Sequence, residues 1–335
     1  MILNSNLKIL AAHHNSALET TSRKISYPPP PHFFSLLVNR YLLFFFILFH
    51  SLFAYSAVYT STAVGGDWSA GATWVGGAVP PTGTANDIVI ATTGGNTVTL
   101  LANRAYRSLT VNASAILTIT GSAVTLTVNA ALFNFPASTN NGTITGTGNF
   151  TVGSSAGTFV NSVAAIINLR AITTAPGLTN NGSVTTSTSI SSGSLSNSAG
   201  ATLVVGGTIT ATVFTCTEAG NTVRYTGTVN QTGKVPTAGA GQYANLTINN
   251  SGGAGNNIVS FNSDFNVTGT LYIQTGVLLV SGSATNLTGA GAVTMDAGTE
   301  WRIQTTTQNV PEISGVYTLA AGSLINFNNA GTQNI

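Results

Sequence analysis

Charge is what this chain has least of. Of its 335 residues, 5% are Asp, Glu, Lys or Arg, against about 25% in an average soluble domain. The formal net charge is only +2. That balance and the lack of a basic stripe exclude an electrostatic nucleic-acid binder. With 43% hydrophobic residues, the composition also excludes charge-driven disorder. Histidine is absent beyond residue 57, since His13, His14, His32 and His50 all precede it. Without histidine there is no Ser-His-Asp or Cys-His nucleophile system and no imidazole metal site. Cys216 is the single cysteine, so no intrachain disulfide and no thiolate cluster forms. In VFTCTEAG it reads as a small buried hydrophobe. No metal and no cofactor is expected.

The remaining charges are thinly spread. The cations after residue 57 are Arg104, Arg107, Arg170, Arg224, Lys234 and Arg302. The acids are Asp67, Asp87, Glu218, Asp264, Asp296, Glu300 and Glu312. Glycoside chemistry needs converging carboxylates, and Asp296 and Glu300 in MDAGTEWRI are the nearest pair. The Ala-Gly between them marks a turn, so they read as two solvated turn charges. Asp67 and Asp87 read as turn residues too. The chain is therefore expected not to be an enzyme.

One long apolar run stands out. LLFFFILFHSLFAY follows Arg40 and ends in the small residues Ala54, Ser56 and Ala57. A basic flank, a short apolar core and a small-x-small exit are the marks of a secretory signal peptide. A membrane span needs about 20 apolar residues. Residues 38–57 are thus expected to be a signal helix, and residues 1–37, with four prolines at 28–31, a leader with a mis-assigned start. Membrane contact is expected through this segment alone.

Past residue 60 no stretch carries a helical period with caps. Short runs of Val, Ile, Leu and Thr alternate instead with Gly, Asn and Ser: NTVTLL (96–101), SLTVN (108–112), AILTIT (115–120), VTLTVN (124–129), TLVVGG (202–207), NLTIN (245–249), TLYIQ (270–274) and VLLV (277–280). Their period is two, so the chain reads as all-β. STNNGTIT (138–145) recurs as LTNNGSVT (178–185), and FVNSVAAIINL (159–169) as LSNSAGATLVV (195–205). The shared asparagines are Asn141, Asn161, Asn181 and Asn197. Their spacing suits one turn of a solenoid, in which coils stack and bury what none can bury alone. Equivalent asparagines then stack into an amide ladder, and the following glycines supply a left-handed corner. The alternative is antiparallel hairpins with Asn-Gly turns. The expected architecture is a right-handed parallel β-helix, with residues 58–137 forming a cap and first coils and residues 138–335 the repeats.

A second repeat pairs NTVRYTGTVNQ (221–231) with SLINFNNAGTQ (323–333), and QYANLTINNSGG (242–253) with AYRSLTVNASA (105–115). After Gln333 the matching Tyr-x-x-Leu-Thr strand does not appear before Ile335, so the chain reads as a piece of a longer protein.

GGDWSAGATWVGGAVPPTGTANDIVI (65–90) and the Tyr243-Ala-Asn-Leu-Thr-Ile unit resemble the repetitive secreted surface proteins of Bacteroidetes-type bacteria. The resemblance covers about residues 60–335 and implies a right-handed parallel β-helix, type IX secretion and an adhesin-like role. Trp68 and Trp74 are candidate glycan contacts, or else a cluster that closes the first coil. The expected function is a non-enzymatic, extracellular or outer-membrane-surface structural protein that contacts glycans or surfaces. The alternatives are a polysaccharide-degrading β-helix or carbohydrate-binding module and, last, an ice-binding β-helix. For the last, the Thr-x-Thr pairs Thr118/Thr120, Thr125/Thr127 and Thr143/Thr145 read as out of register.

Overall fold

A computed structural model describes residues 57–129, 138–154, 156–239, 241–282, 286–305 and 312–328. The leader and signal-helix expectations over residues 1–56, and the Gln333 end of the second repeat, lie outside the described residues. No helix among them is long and apolar enough to cross a membrane.

Among the described residues every ladder joining named strands is parallel, and each joins one coil to the next; the one antiparallel contact there is the isolated bridge Ser61↔Trp74 near the first strand. The chain is a parallel β-solenoid, which removes the hairpin alternative. Three faces recur. The first begins Val58–Thr60, Asp87–Ile90, Ser108–Val111. The second begins Gly66–Asp67, Thr97–Leu100, Ile116–Ile119. The third begins Arg104–Tyr106, Thr125–Val128, Asn149–Val152. The strands expected from the period-two runs all form, the early ones trimmed by a residue or two and the last three extended.

The alternation explains the core. On the second face Val98, Leu117, Ile144, Ile167, Val184, Leu203, Val223, Leu246, Leu271 and Val293 stack as one inward column. All are buried. Each is worth about 1.5–3 kcal/mol of burial, and no coil gains it alone. Coil length varies. Register partners are 17 residues apart at Ile166↔Ser183 and 27 apart at Ile116↔Thr143.

The amide ladder is present, shifted by one residue at two rungs. Asn140 Nδ2 donates to Asn161 Oδ1, Asn161 Nδ2 to Asn180 Oδ1 and Asn180 Nδ2 to Asn197 Oδ1, each at 2.8 Å. Asn161 and Asn197 are as expected, while Asn140 and Asn180 replace Asn141 and Asn181. The reason is the strand period: neighbouring residues point to opposite sides. Asn141 faces out and its Oδ1 accepts from Ser162 Oγ at 2.5 Å. The glycines after the pair also act differently from the expectation. At Gly142 a Cβ would lie 2.4 Å from the carbonyl oxygens of Asn112 and Ala115. Glycine is there for close approach of coils, and left-handed residues at the neighbouring turns include Ser114, Ala164 and Gly200.

Past residue 205 the continuous amide ladder gives way to buried rings, beside the separate buried amides Asn221, Gln231 and Asn250. Phe214, Tyr225, Tyr243, Phe261 and Phe265 are buried, with Phe261 and Phe265 stacked at 4.4 Å. The Tyr243 and Tyr106 segments match in sequence yet sit at different corners. Tyr106 ends a third-face strand, whereas Tyr243 pairs with Val267 on the first face. The local motif therefore repeats a corner, not a place in the coil.

Candidate functional site

The tryptophans are not available to a ligand. Trp68 and Trp74 are 1% and 2% exposed. Their rings meet edge to face at 4.9 Å. Trp68 Nε1 donates to Tyr106 Oη at 2.9 Å, and Trp74 Nε1 to the Trp68 carbonyl at 2.8 Å. Both indole donors are satisfied inside the first coils, as buried polar atoms must be. The pair closes the solenoid, which corrects their candidacy as glycan contacts.

The carboxylate pair does not converge either. Asp296 follows the second-face strand Ala292–Met295, and Glu300 opens the third-face strand Glu300–Thr305. Glu300 accepts from Arg302 Nη2 at 2.6 Å and from Asn326 Nδ2 at 2.7 Å. The Arg302 bond holds its carboxyl below the usual range. Cys216 is buried, and burial pushes its thiol up. No cluster of three metal-ligating side chains exists among the described residues.

A polar constellation that no local motif signals lies on the outward side of the second face. Its backbone is one outward column, Arg224, Thr247, Tyr272, Thr294. Arg224 reaches across the intervening coil and donates from Nη2 to Gln274 Oε1 at 2.6 Å. Thr247 lies beneath this arm and is only 9% exposed, although its position faces outward. Tyr272 Oη donates to Asp296 Oδ2 at 2.7 Å. That bond raises the Tyr272 pKa, since losing the proton would set two anions together. Arg224 has no ion pair among the described residues, and its buried Nε has no partner. By contrast, Arg107 is neutralised by Asp87, which also accepts from Ser108 Oγ at 2.6 Å.

The site thus brings together a guanidinium without a direct ion pair among the described residues, an amide, a phenol ring and a carboxylate. A guanidinium fork binds carboxylate or sulfate oxygens. A phenol offers an apolar face with a polar tip, and a carboxylate accepts hydroxyls. Sequence reasoning missed the group because its members come from different coils, with Arg224 bonded to a residue 50 positions on and Asp296 further still. Only the register brings them side by side.

Compared with protein-family models, curated proteins and solved structures, the chain matches none.

Proposed function

We propose that this chain is a non-enzymatic, exported β-solenoid that makes adhesin-like contact with carbohydrate through its second face. The single observation behind this reading is the Arg224–Gln274–Tyr272–Asp296 group, whose cation lacks an ion-pair partner. The ligand that suits it is an acidic glycan, with its carboxylate or sulfate on Arg224 and a sugar ring against Tyr272. The separated, individually bonded carboxylates Asp296 and Glu300 favour binding over hydrolysis. A right-handed path is the sense that parallel crossovers favour. Secretion and a cell-surface address rest on the signal-like run before Tyr55 and on the resemblance to Bacteroidetes-type surface proteins.

The test is a binding titration of the full chain with polygalacturonate and with a neutral glucan. Preferential binding of the acidic polymer, weakened about tenfold by Arg224→Ala, is expected from the loss of one charge-assisted contact. No shortened polymer is expected after long incubation. Equal binding by the variant, or release of oligosaccharides, overturns the reading.

A further inference from the structure

The third face presents a different surface. Five successive strands set their outward side chains in two straight rows. One row is Thr127, Thr151, Thr173, Ser191 and Thr210. The other is Thr125, Asn149, Ala171, Ser189 and Thr208. The Thr-x-Thr pairs are out of step as expected, since Thr145 meets Thr118 but Thr143 meets Ile116; the rows come from the register of the third face instead. Thr118 and Thr143/Thr145 belong to the second face and Thr125/Thr127 to the third, so each face keeps its own rows.

Three properties distinguish these rows from ordinary strand surface. The hydroxyls of the first row make no hydrogen bond among the described residues, and none of these residues has an unassigned interaction. On the second face, by contrast, Thr97 and Thr118 bond each other at 3.0 Å, and Ile116, Ile166, Val204 and Arg224 interrupt the rows. Secondly, no position of the two rows is charged. Thirdly, the lattice is regular and stiff. Rungs lie about 4.8 Å apart and alternate residues about 6.6 Å apart along a strand, in register over all five rungs. Threonine is restricted at χ1, so little side-chain entropy is lost when its hydroxyl and methyl are held in place. Along the last three rungs the first row borders an uncharged groove of about 360 Å³, lined also by Thr174, Ser192 and Gly193.

We propose that this face binds crystalline water. An array of unsatisfied hydroxyls, complete in the first row and supplied by Thr125, Ser189 and Thr208 in the second, at two spacings close to the oxygen repeats of hexagonal ice, can order a water layer that continues into the crystal. A charge within the rows would hold its own hydration shell and break that layer; no row position is charged, and the Arg170 guanidinium, which touches the second row, is tied to Asn149 Oδ1 at 3.2 Å.

The experiment grows ice crystals in a solution of the full chain and follows their shape and recrystallisation. Faceted crystals and slowed recrystallisation are expected. The variant Thr151→Tyr/Thr173→Tyr places two rings on the rows and should lose at least tenfold in activity at equal concentration. Thr185→Tyr, on the outward side of the second face, should keep it. Both variants change outward residues only, and an unchanged melting temperature verifies their folding. Round crystals with the unaltered chain, equal loss in the Thr185 control, or full activity in the double variant overturns the proposal. Retention on insoluble cellulose that is lost with the same double variant, without any effect on ice, assigns the rows to polysaccharide and overturns it as well.

Discussion

The coils from Ser138 to Val205 and those from Thr208 to Val280 solve one stacking problem with different chemistry. The first set joins coil to coil with directional bonds. Four asparagines hand a hydrogen bond down a buried column, and Thr174 and Ser192 pair inside the same stack at 2.8 Å. The second set uses rings, with Tyr243 within 6.3 Å of Phe214, Phe261 and Phe265. An amide ladder demands the same backbone position in every coil. Ring packing is non-directional and worth most through buried area. The ring-packed set accordingly accommodates the irregular stretch from Thr226 to Gly239. There Tyr225 Oη accepts from the Lys234 amide at 2.7 Å, and Tyr243 Oη donates to the Lys234 carbonyl. The difference teaches that strict coil register goes with a continuous ladder of buried amides, whereas separate buried polar groups such as Gln231, Asn250 and the Tyr225 and Tyr243 hydroxyls tolerate an irregular coil.

The largest effect expected from breaking this contrast is at the middle of the ladder. Asn161→Ala removes both neighbours' amide partner and the donor to the Ala165 and Ser183 carbonyls. Orphaned buried polar groups cost about 1–3 kcal/mol each. A loss of about 3 kcal/mol in urea unfolding is expected, since part of each group's bonding survives. A change below about 1 kcal/mol would show that burial alone holds these coils.

The ring-packed coils are expected to fail differently, with alkali. Tyr225 is pushed up to about 12 by burial, and Tyr243 also lies well above the ordinary tyrosine value of 10. A raised folded pKa means that the neutral form is the folded one. Its stabilisation is complete below about pH 10 and is lost as pH rises toward about 12. Melting temperature followed from pH 8 to 12 should stay level and then fall in that window. Tyr243→Phe keeps the ring, removes one phenol and its bond to Lys234, and should cost about 1 kcal/mol at neutral pH while softening the alkaline fall. An alkaline profile unchanged by this variant would separate the transition from the ring cluster.

Much of this architecture was legible in the sequence. Runs such as Ile116–Ile119 and Thr202–Val205 announce strands because Val, Ile, Leu and Thr alternate on a pleat. The repeat of Asn with a following small residue announced stacking. What the sequence hid is whatever depends on register. Arg224, Tyr272 and Asp296 share no local motif, and the hydroxyl rows of the third face emerge only when strands are aligned. The role of Trp68 and Trp74 was readable only as two alternatives, because aromatic content alone does not say which way a ring points.

The smallest expected effect is the sharpest check on that register. Asn140 and Asn141 are adjacent and chemically identical, and only the strand period separates them. Asn140 is buried and donates to Asn161 Oδ1 and to the Ile166 carbonyl, while its Oδ1 accepts from the Gly142 amide. Asn141 is exposed and touches the network only through Ser162. Asn141→Ala should therefore change stability by no more than about 0.5 kcal/mol, and Asn140→Ala should approach the cost of Asn161→Ala. Equal costs at the two positions would mean that the first rung is loose enough to exchange its asparagines. A larger cost at Asn141 would shift the strand by one residue, and that shift would turn the whole Thr139–Asn140 segment inside out.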